Sequence, residues 1–300
     1  MNFLHFNKIF TQELQNIHLA EKNIQLNILR LDELHTVVSG NKWFKLKYYI
    51  KDATSKGYGK IATFGGAYSN HVLATAFACK EAGLESIGII RGEEPRQWSY
   101  TLLQAKELGM RLIFMNRTSF KDKENRTRLF PDLDWYWVDE GGYGIFGAMG
   151  AAEIMGYLED VGKSYTHIIC AAGTGTMMAG LIKSALPHQT VIGINILKNK
   201  GLLPEMVALL NEEEKQKKFI LLNEYHFGGY AKHPPQLIQS MKELWQDYKL
   251  PTDIVYTSKM MFAVYDLIQK EFFSEGSKLI AIHSGGLQGN SSLLAGTLPF

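Results

Sequence analysis

Cysteine is scarce: the 300 residues hold two, Cys79 and Cys170, each inside an apolar run. That count excludes a disulfide framework and any Cys-x-x-Cys metal pair, so no metal site is expected. Both thiols are expected as small buried hydrophobes. No run of about 18 apolar residues occurs, so no membrane-spanning helix is expected. Charge of one sign is lacking too. The 32 basic and 30 acidic side chains leave a formal charge of +2, without the basic stripe that a nucleic-acid partner needs. One basic segment, Lys121 to Arg128, is diluted by Asp122 and Glu124 and reads as a solvated helix face. The opening MNFLHFNKIF has His5, Asn7 and Lys8 among its apolar residues, which is not the core of a secretory leader. A reducing cytoplasm is the expected setting.

What is present is a strand–helix alternation. Strands are expected at Lys60 to Phe64, Ser86 to Ile90, Arg111 to Met115 and Trp135 to Val138. Helices are expected over Ser69 to Ala82, Tyr100 to Leu108 and Ala148 to Leu158, with a polar helix before Trp135. A second series has strands at His167 to Ala171, Val191 to Leu197, Phe219 to Leu222 and Lys278 to His283. Its helices are expected over Thr176 to Ala185, Pro204 to Lys217, Pro235 to Asp247 and Ser258 to Phe273. Short apolar runs separated by helices indicate buried parallel strands and an α/β fold. Two series suggest two α/β domains. The expected division is a larger one from 1–46 and 147–300 and a smaller one from 47–146.

In such sheets ligands bind beyond the carboxyl ends of the strands. Gly173-Thr174-Gly175-Thr176-Met177 follows one strand and opens a helix. Glycines let backbone approach an anion, and the helix start offers free N–H groups. A turn needed only for packing is the competing reading. Gly65-Gly66-Ala67-Tyr68-Ser69-Asn70-His71 follows another strand. Ser69 suits an N-cap, yet the cluster also suits a substrate carboxylate. Ser39-Gly40-Asn41-Lys42 leads into a helical stripe of Leu46, Tyr49, Ile50 and Ala53, which reads as core. Lys45, Lys47 and Lys51 are expected to be solvated. Lys42 stands apart at the glycine-led helix entrance.

These three segments, in this order, resemble the 1-aminocyclopropane-1-carboxylate deaminase and D-cysteine desulfhydrase family, from about Arg30 to Gly286. Lys198 to Lys217 matches poorly. The resemblance implies the tryptophan-synthase-β-like architecture of pyridoxal phosphate (PLP) fold type II enzymes, with two open twisted sheets and flanking helices. It places a Schiff base with PLP on Lys42, the substrate carboxylate on Ser69, and the PLP 3′-oxygen on Asn70. It places the phosphate on Gly173, Thr174, Gly175, Thr176 and Met177. Tyr230, in Phe227-Gly228-Gly229-Tyr230, and Tyr256 resemble the family's active-site tyrosines; a packed aromatic is the competing reading for each.

Cyclopropane deaminases usually carry a glutamate after the second tyrosine, facing the pyridine nitrogen, and a leucine in the last strand-end loop. Here Thr257 and Ser284 stand there. Hydroxyls at both places resemble the desulfhydrase branch, which implies β-elimination from a small amino acid to give pyruvate, ammonia and sulfide. Cyclopropane deamination, β-replacement, and a non-catalytic protein holding a phosphorylated ligand are the alternatives. The resemblance also implies a homodimer. His71 and His283 flank site loops and are as readily structural as catalytic.

Overall fold

A computed structural model describes residues 9–35, 37–122, 126–130, 134–158 and 162–300. His5, Asn7 and Lys8 lie outside the described residues. Among the described residues ten strands form two sheets. The six-stranded sheet contains β1 (Thr11–Leu14), β2 (Gln25–Arg30), β7 (His167–Ala172), β8 (Thr190–Asn195), β9 (Phe219–Leu222) and β10 (Lys278–His283), in the order β1-β2-β10-β7-β8-β9. Only β1 runs antiparallel. The four-stranded sheet is parallel, in the order β5-β4-β3-β6, from β3 (Lys60–Gly65), β4 (Glu85–Arg91), β5 (Arg111–Met115) and β6 (Tyr136–Val138). The helices are α1 (Ile17–Glu21), α2 (Lys42–Ser55), α3 (Asn70–Glu81), α4 (Tyr100–Glu107), α5 (Arg117–Lys121), α6 (Ile145–Ala152), α7 (Thr176–Ser184), α8 (Leu202–Val207), α9 (Pro235–Tyr248) and α10 (Thr257–Gln269).

The central strands feed two cores at once. Along β7, Ile168, Cys170 and Ala172 pack with α6 and α7, while Ile169 and Ala171 pack with α9 and α10. Successive strand residues point to opposite faces, so a strand buried on both sides reads as an unbroken apolar run. Each fully buried isoleucine there contributes about 1.5–3 kcal/mol. Cys79 and Cys170 are buried and unbridged.

Four expectations need correction. Neither β1 nor β2 is signalled by the strand–helix alternation, because both precede it and carry polar residues on TQEL and QLNILR. The single helix expected over Pro204 to Lys217 is only α8 and a 3-10 turn at Glu214–Gln216. A reciprocal cap starts that turn afresh: Glu214 N–H donates to Asn211 Oδ1 at 2.8 Å, and Asn211 N–H to Glu214 Oε2 at 2.9 Å. The basic segment at 121–128, of which 123–125 lie outside the described residues, is not simply a solvated face. Arg126 is buried, its guanidinium 3.7 Å from the Phe64 ring centroid and bonded to Asp139 at 2.7 Å; cation–π attraction and ion pairing replace its lost hydration. Lys45 is buried as well, while Lys51 is exposed and Lys47 pairs with Glu153.

Loop 39–41 meets the end of β10 backbone to backbone. Gly40 has φ +75°, and a Cβ there would lie 1.6 Å from the Ser284 carbonyl oxygen. Asn41 N–H donates to that oxygen at 2.9 Å. A side chain would meet both backbone strain and a clash, together worth about 3 kcal/mol or more. Gly40→Ala is therefore expected to lower the melting temperature by roughly 6 °C, read by differential scanning calorimetry; an unchanged transition would contradict the contact.

Candidate active site

The carboxyl ends of β3, β4, β6, β7, β8 and β10 all face one cavity of about 330 Å³. Of the residues marked out by sequence, Lys42, Ser69, Asn70, Gly173, Thr174, Gly175, Met177, Tyr230 and Tyr256 line it. Thr176 and Thr257 do not. Both are fully buried just behind the wall.

Lys42 is the first residue of α2, and its Nζ lies 2.7 Å from Asn41 Oδ1 and 5.8 Å from the Tyr256 ring centroid. Loss of hydration pulls the amine down to about 8, with Asp253 opposing the shift. The helix entrance, itself partially positive, is a further poor place for a cation. The fold thus supplies a lysine that is readily neutral.

Lys45 follows one helical turn later, so it shares a face with Lys42. Its Nζ reaches the Gly141 carbonyl at 3.3 Å. Burial, with Lys42 beside it, holds its pKa well below the ordinary lysine value. The sequence carried a signal for this: Lys45 stands four residues before Tyr49, on the edge of the buried stripe.

The glycine turn after β7 opens α7 without a side-chain cap. Gly175 is the N-cap, with φ +75° and no cap hydrogen bond. A Cβ there would strike Met206 Cβ at 2.7 Å, and one on Gly173 would lie 3.1 Å from Tyr256 Cε1. Asn41 Nδ2 contacts Met177 Sδ at 3.0 Å, which fastens the entrance of α2 against that of α7. Thr174 and Thr176 share a hydrogen bond at 3.0 Å.

Ser69 caps α3 by accepting from Val72 N–H at 3.3 Å, leaving its own proton for the cavity. Asn70 Nδ2 donates to the Gly286 carbonyl at 2.9 Å. Among the described residues, buried Asn70 Oδ1 has no hydrogen-bond partner. His71 meets Thr63 Oγ1 at 2.8 Å, and that hydroxyl spends its proton on the Val138 carbonyl, so the ring donates through Nε2. Among the described residues its Nδ1 finds no partner within ordinary hydrogen-bond distance. Burial, with Lys42 and Lys45 nearby, drives the His71 pKa far down and keeps the ring neutral. His283 is buried, with Nε2 on the Pro251 carbonyl at 2.6 Å and Nδ1 accepting from Gly285 N–H at 3.3 Å. Its ring atoms are spent on structure.

Asp253 was missed from sequence. Its Oδ1 accepts from Thr257 N–H and the Thr257 hydroxyl, both at 2.9 Å; its Oδ2 accepts from Val255 N–H at 2.9 Å and Tyr256 N–H at 3.0 Å. Burial pushes this carboxyl upward against those four bonds. Asp four residues before Thr, at a helix start, was the available signal. Thr257 also accepts from Asp253 N–H at 2.8 Å. Its hydroxyl is thus fully used away from the cavity. Ser284 does line the cavity, and among the described residues its hydroxyl makes no hydrogen bond.

These features suit PLP. An uncapped helix start in a cavity shared with two lysines matches a phosphate, glycines leave the room a Cβ would fill, and orphaned polar atoms await a ligand. Among the described residues no group of metal-ligating side chains occurs.

Comparison with known proteins agrees. The family model described as "Pyridoxal-phosphate dependent enzyme" matches residues 8–285. A Pyrococcus horikoshii protein named provisionally as a 1-aminocyclopropane-1-carboxylate deaminase is 28% identical, over 93% of this chain and 89% of its own. The 1-aminocyclopropane-1-carboxylate deaminase of a Bradyrhizobium strain is 25% identical, over 83% and 82%. The crystal structure of a homologue of that deaminase superposes with a TM-score of 0.77 at 26% identity, over 94% of this chain and 90% of the other. The matched segment runs through the lysine, both glycine turns and both tyrosines, and the chain belongs to the pyridoxal-phosphate dependent enzymes, as a lyase or deaminase of fold type II.

Proposed function

We propose that this enzyme removes a β-substituent from a small amino acid, with D-cysteine and water giving pyruvate, ammonia and sulfide. The observation carrying this reading is the pair of residues at 257 and 284. Thr257 and Ser284 stand where cyclopropane deaminases carry glutamate and leucine, and Asp253, a carboxylate in the cavity lining, has both oxygens committed to its own loop. When bound, the coenzyme supplies an electron sink for the substrate α-carbon. Lys42 would hold it covalently. The backbone of Gly173–Met177, with Lys45, would hold its phosphate, Asn70 its ring oxygen and Ser284 its ring nitrogen. A neutral hydroxyl partner draws charge from a ring more weakly than a carboxylate pair does. That favours departure of a good leaving group over opening of a strained ring.

The protein's own groups then divide the proton work. Ser69 holds the substrate carboxylate at the start of α3, where the helix favours negative charge. The Lys42 amine, neutral above about 8, takes the α-proton. Burial holds the Tyr256 phenol far above its ordinary pKa, so it keeps its proton and serves as a donor beside Lys42. Tyr230 faces the same space. The proposal also carries the two-domain division at 46/47 and 146/147, a homodimer and a cytoplasmic setting. The names of the relatives favour a second reading, deamination of the cyclopropane amino acid.

The assay that decides is keto-acid release by the holoenzyme from D-cysteine, L-cysteine, D-serine and the cyclopropane amino acid. D-Cysteine is expected to be turned over at least about 100-fold more efficiently than the last. Activity confined to the cyclopropane substrate would reverse the reading.

Coenzyme uptake by coenzyme-free protein offers a second check. Attack on the aldehyde needs the neutral amine, whose fraction grows as pH rises past its pKa. The uptake rate, followed by visible absorbance, is expected to rise with pH and reach half-maximum near 8. A midpoint above 10 would mean an ordinary solvated lysine.

A further inference from the structure

Lys259 is fully buried yet occupies the third position of α10. A cation in the first turn of a helix opposes the helix dipole, and burying one unpaired is costly. Burial pulls its ammonium down to about 8, with Asp253 holding it up. What compensates is a set of three carbonyl acceptors: Gly229 at 2.6 Å, His226 at 3.0 Å and Ile196 at 3.3 Å. An ammonium has three donors, and all three are used.

Two of those carbonyls belong to a strained loop. Phe227, Gly228, Gly229 and Ala231 have φ of +51°, +96°, +121° and +52°. Positive φ at Phe and Ala persists only where surroundings enforce it. The enforcement comes from one face of α10. Lys259, Phe262 and Asp266 are spaced i, i+3, i+7 and so align. Asp266 accepts from the Tyr225 hydroxyl at 2.6 Å, Phe262 meets Phe227 edge-on at 5.0 Å, and Lys259 holds the carbonyls at 226 and 229. Tyr230 is the next residue. The same helix carries Tyr256 as its N-cap, so one element registers both cavity tyrosines.

We infer that Lys259 is a positioning residue that straps loop 225–231 to α10 and fixes Tyr230 in the cavity wall. The kinetic part of its test rests on the elimination reading above; the structural part does not. In steady-state assays of the holoenzyme on D-cysteine, Lys259→Met is expected to lower kcat about as far as Tyr230→Phe, roughly 10- to 100-fold, with KM changed less than about threefold. The double variant is expected to fall no further than the worse single one. Lys259→Arg, which keeps charge and donors, is expected to recover at least part of the loss. A double-variant loss equal to the product of the two single losses would overturn the inference.

Limited chymotrypsin digestion reads loop position whatever the substrate proves to be. Cleavage after Phe227 or Tyr230 is expected in Lys259→Met and not in the parent protein. Equal resistance would overturn the strap even if turnover fell. Should Lys259→Met not fold, Phe262→Ala, which removes the neighbouring anchor, is digested in its place and judged by the same two outcomes.

Discussion

Everything at the site depends on how closely loop 39–41 approaches loop 284–286. Gly40 leaves no room for a side chain against the Ser284 carbonyl. Asn41 N–H bonds that carbonyl at 2.9 Å, and Gly286 N–H bonds Ser39 Oγ at 2.9 Å. Gly286 in turn accepts from Asn70, while Asn41 reaches Met177. Four segments distant in sequence are thereby laced at the mouths of α2, α3 and α7. Such positioning by backbone is what keeps a reacting amine within reach of its partners.

The electrostatics follow from that packing. Two lysines one turn apart, both desolvated, would repel if charged. The conflict is resolved by lowered pKa values. Asp253 supplies the compensating carboxylate from below, but four donors from its own loop hold it in place.

Much of this was legible in the sequence because every pair of neighbouring strands but β1–β2 is parallel and the central strands are buried. β5, β9 and β10 have the bounds expected around their apolar runs; two of the three glycine-led loops follow strands directly and the third opens α2. β1 and β2 escaped because mixed polar strands carry little periodic signal outside a strand–helix unit. Arg126, Lys45 and Lys259 escaped for a different reason. A charged residue is expected in water, and only tertiary partners such as the Phe64 face or three converging carbonyls reverse that expectation. Thr257 shows the converse: the alignment of residue types places a hydroxyl at the site, while its hydrogen bonds turn it toward Asp253 and leave Ser284 facing the cavity.

The amine at the entrance of α2, and no other, is proposed to carry the coenzyme. Borohydride reduction of the holoenzyme followed by peptide mass mapping reads the attachment site. One pyridoxyl group per chain is expected, on Lys42. A label on Lys45 or on any other lysine, with Lys42 unmodified, would contradict it.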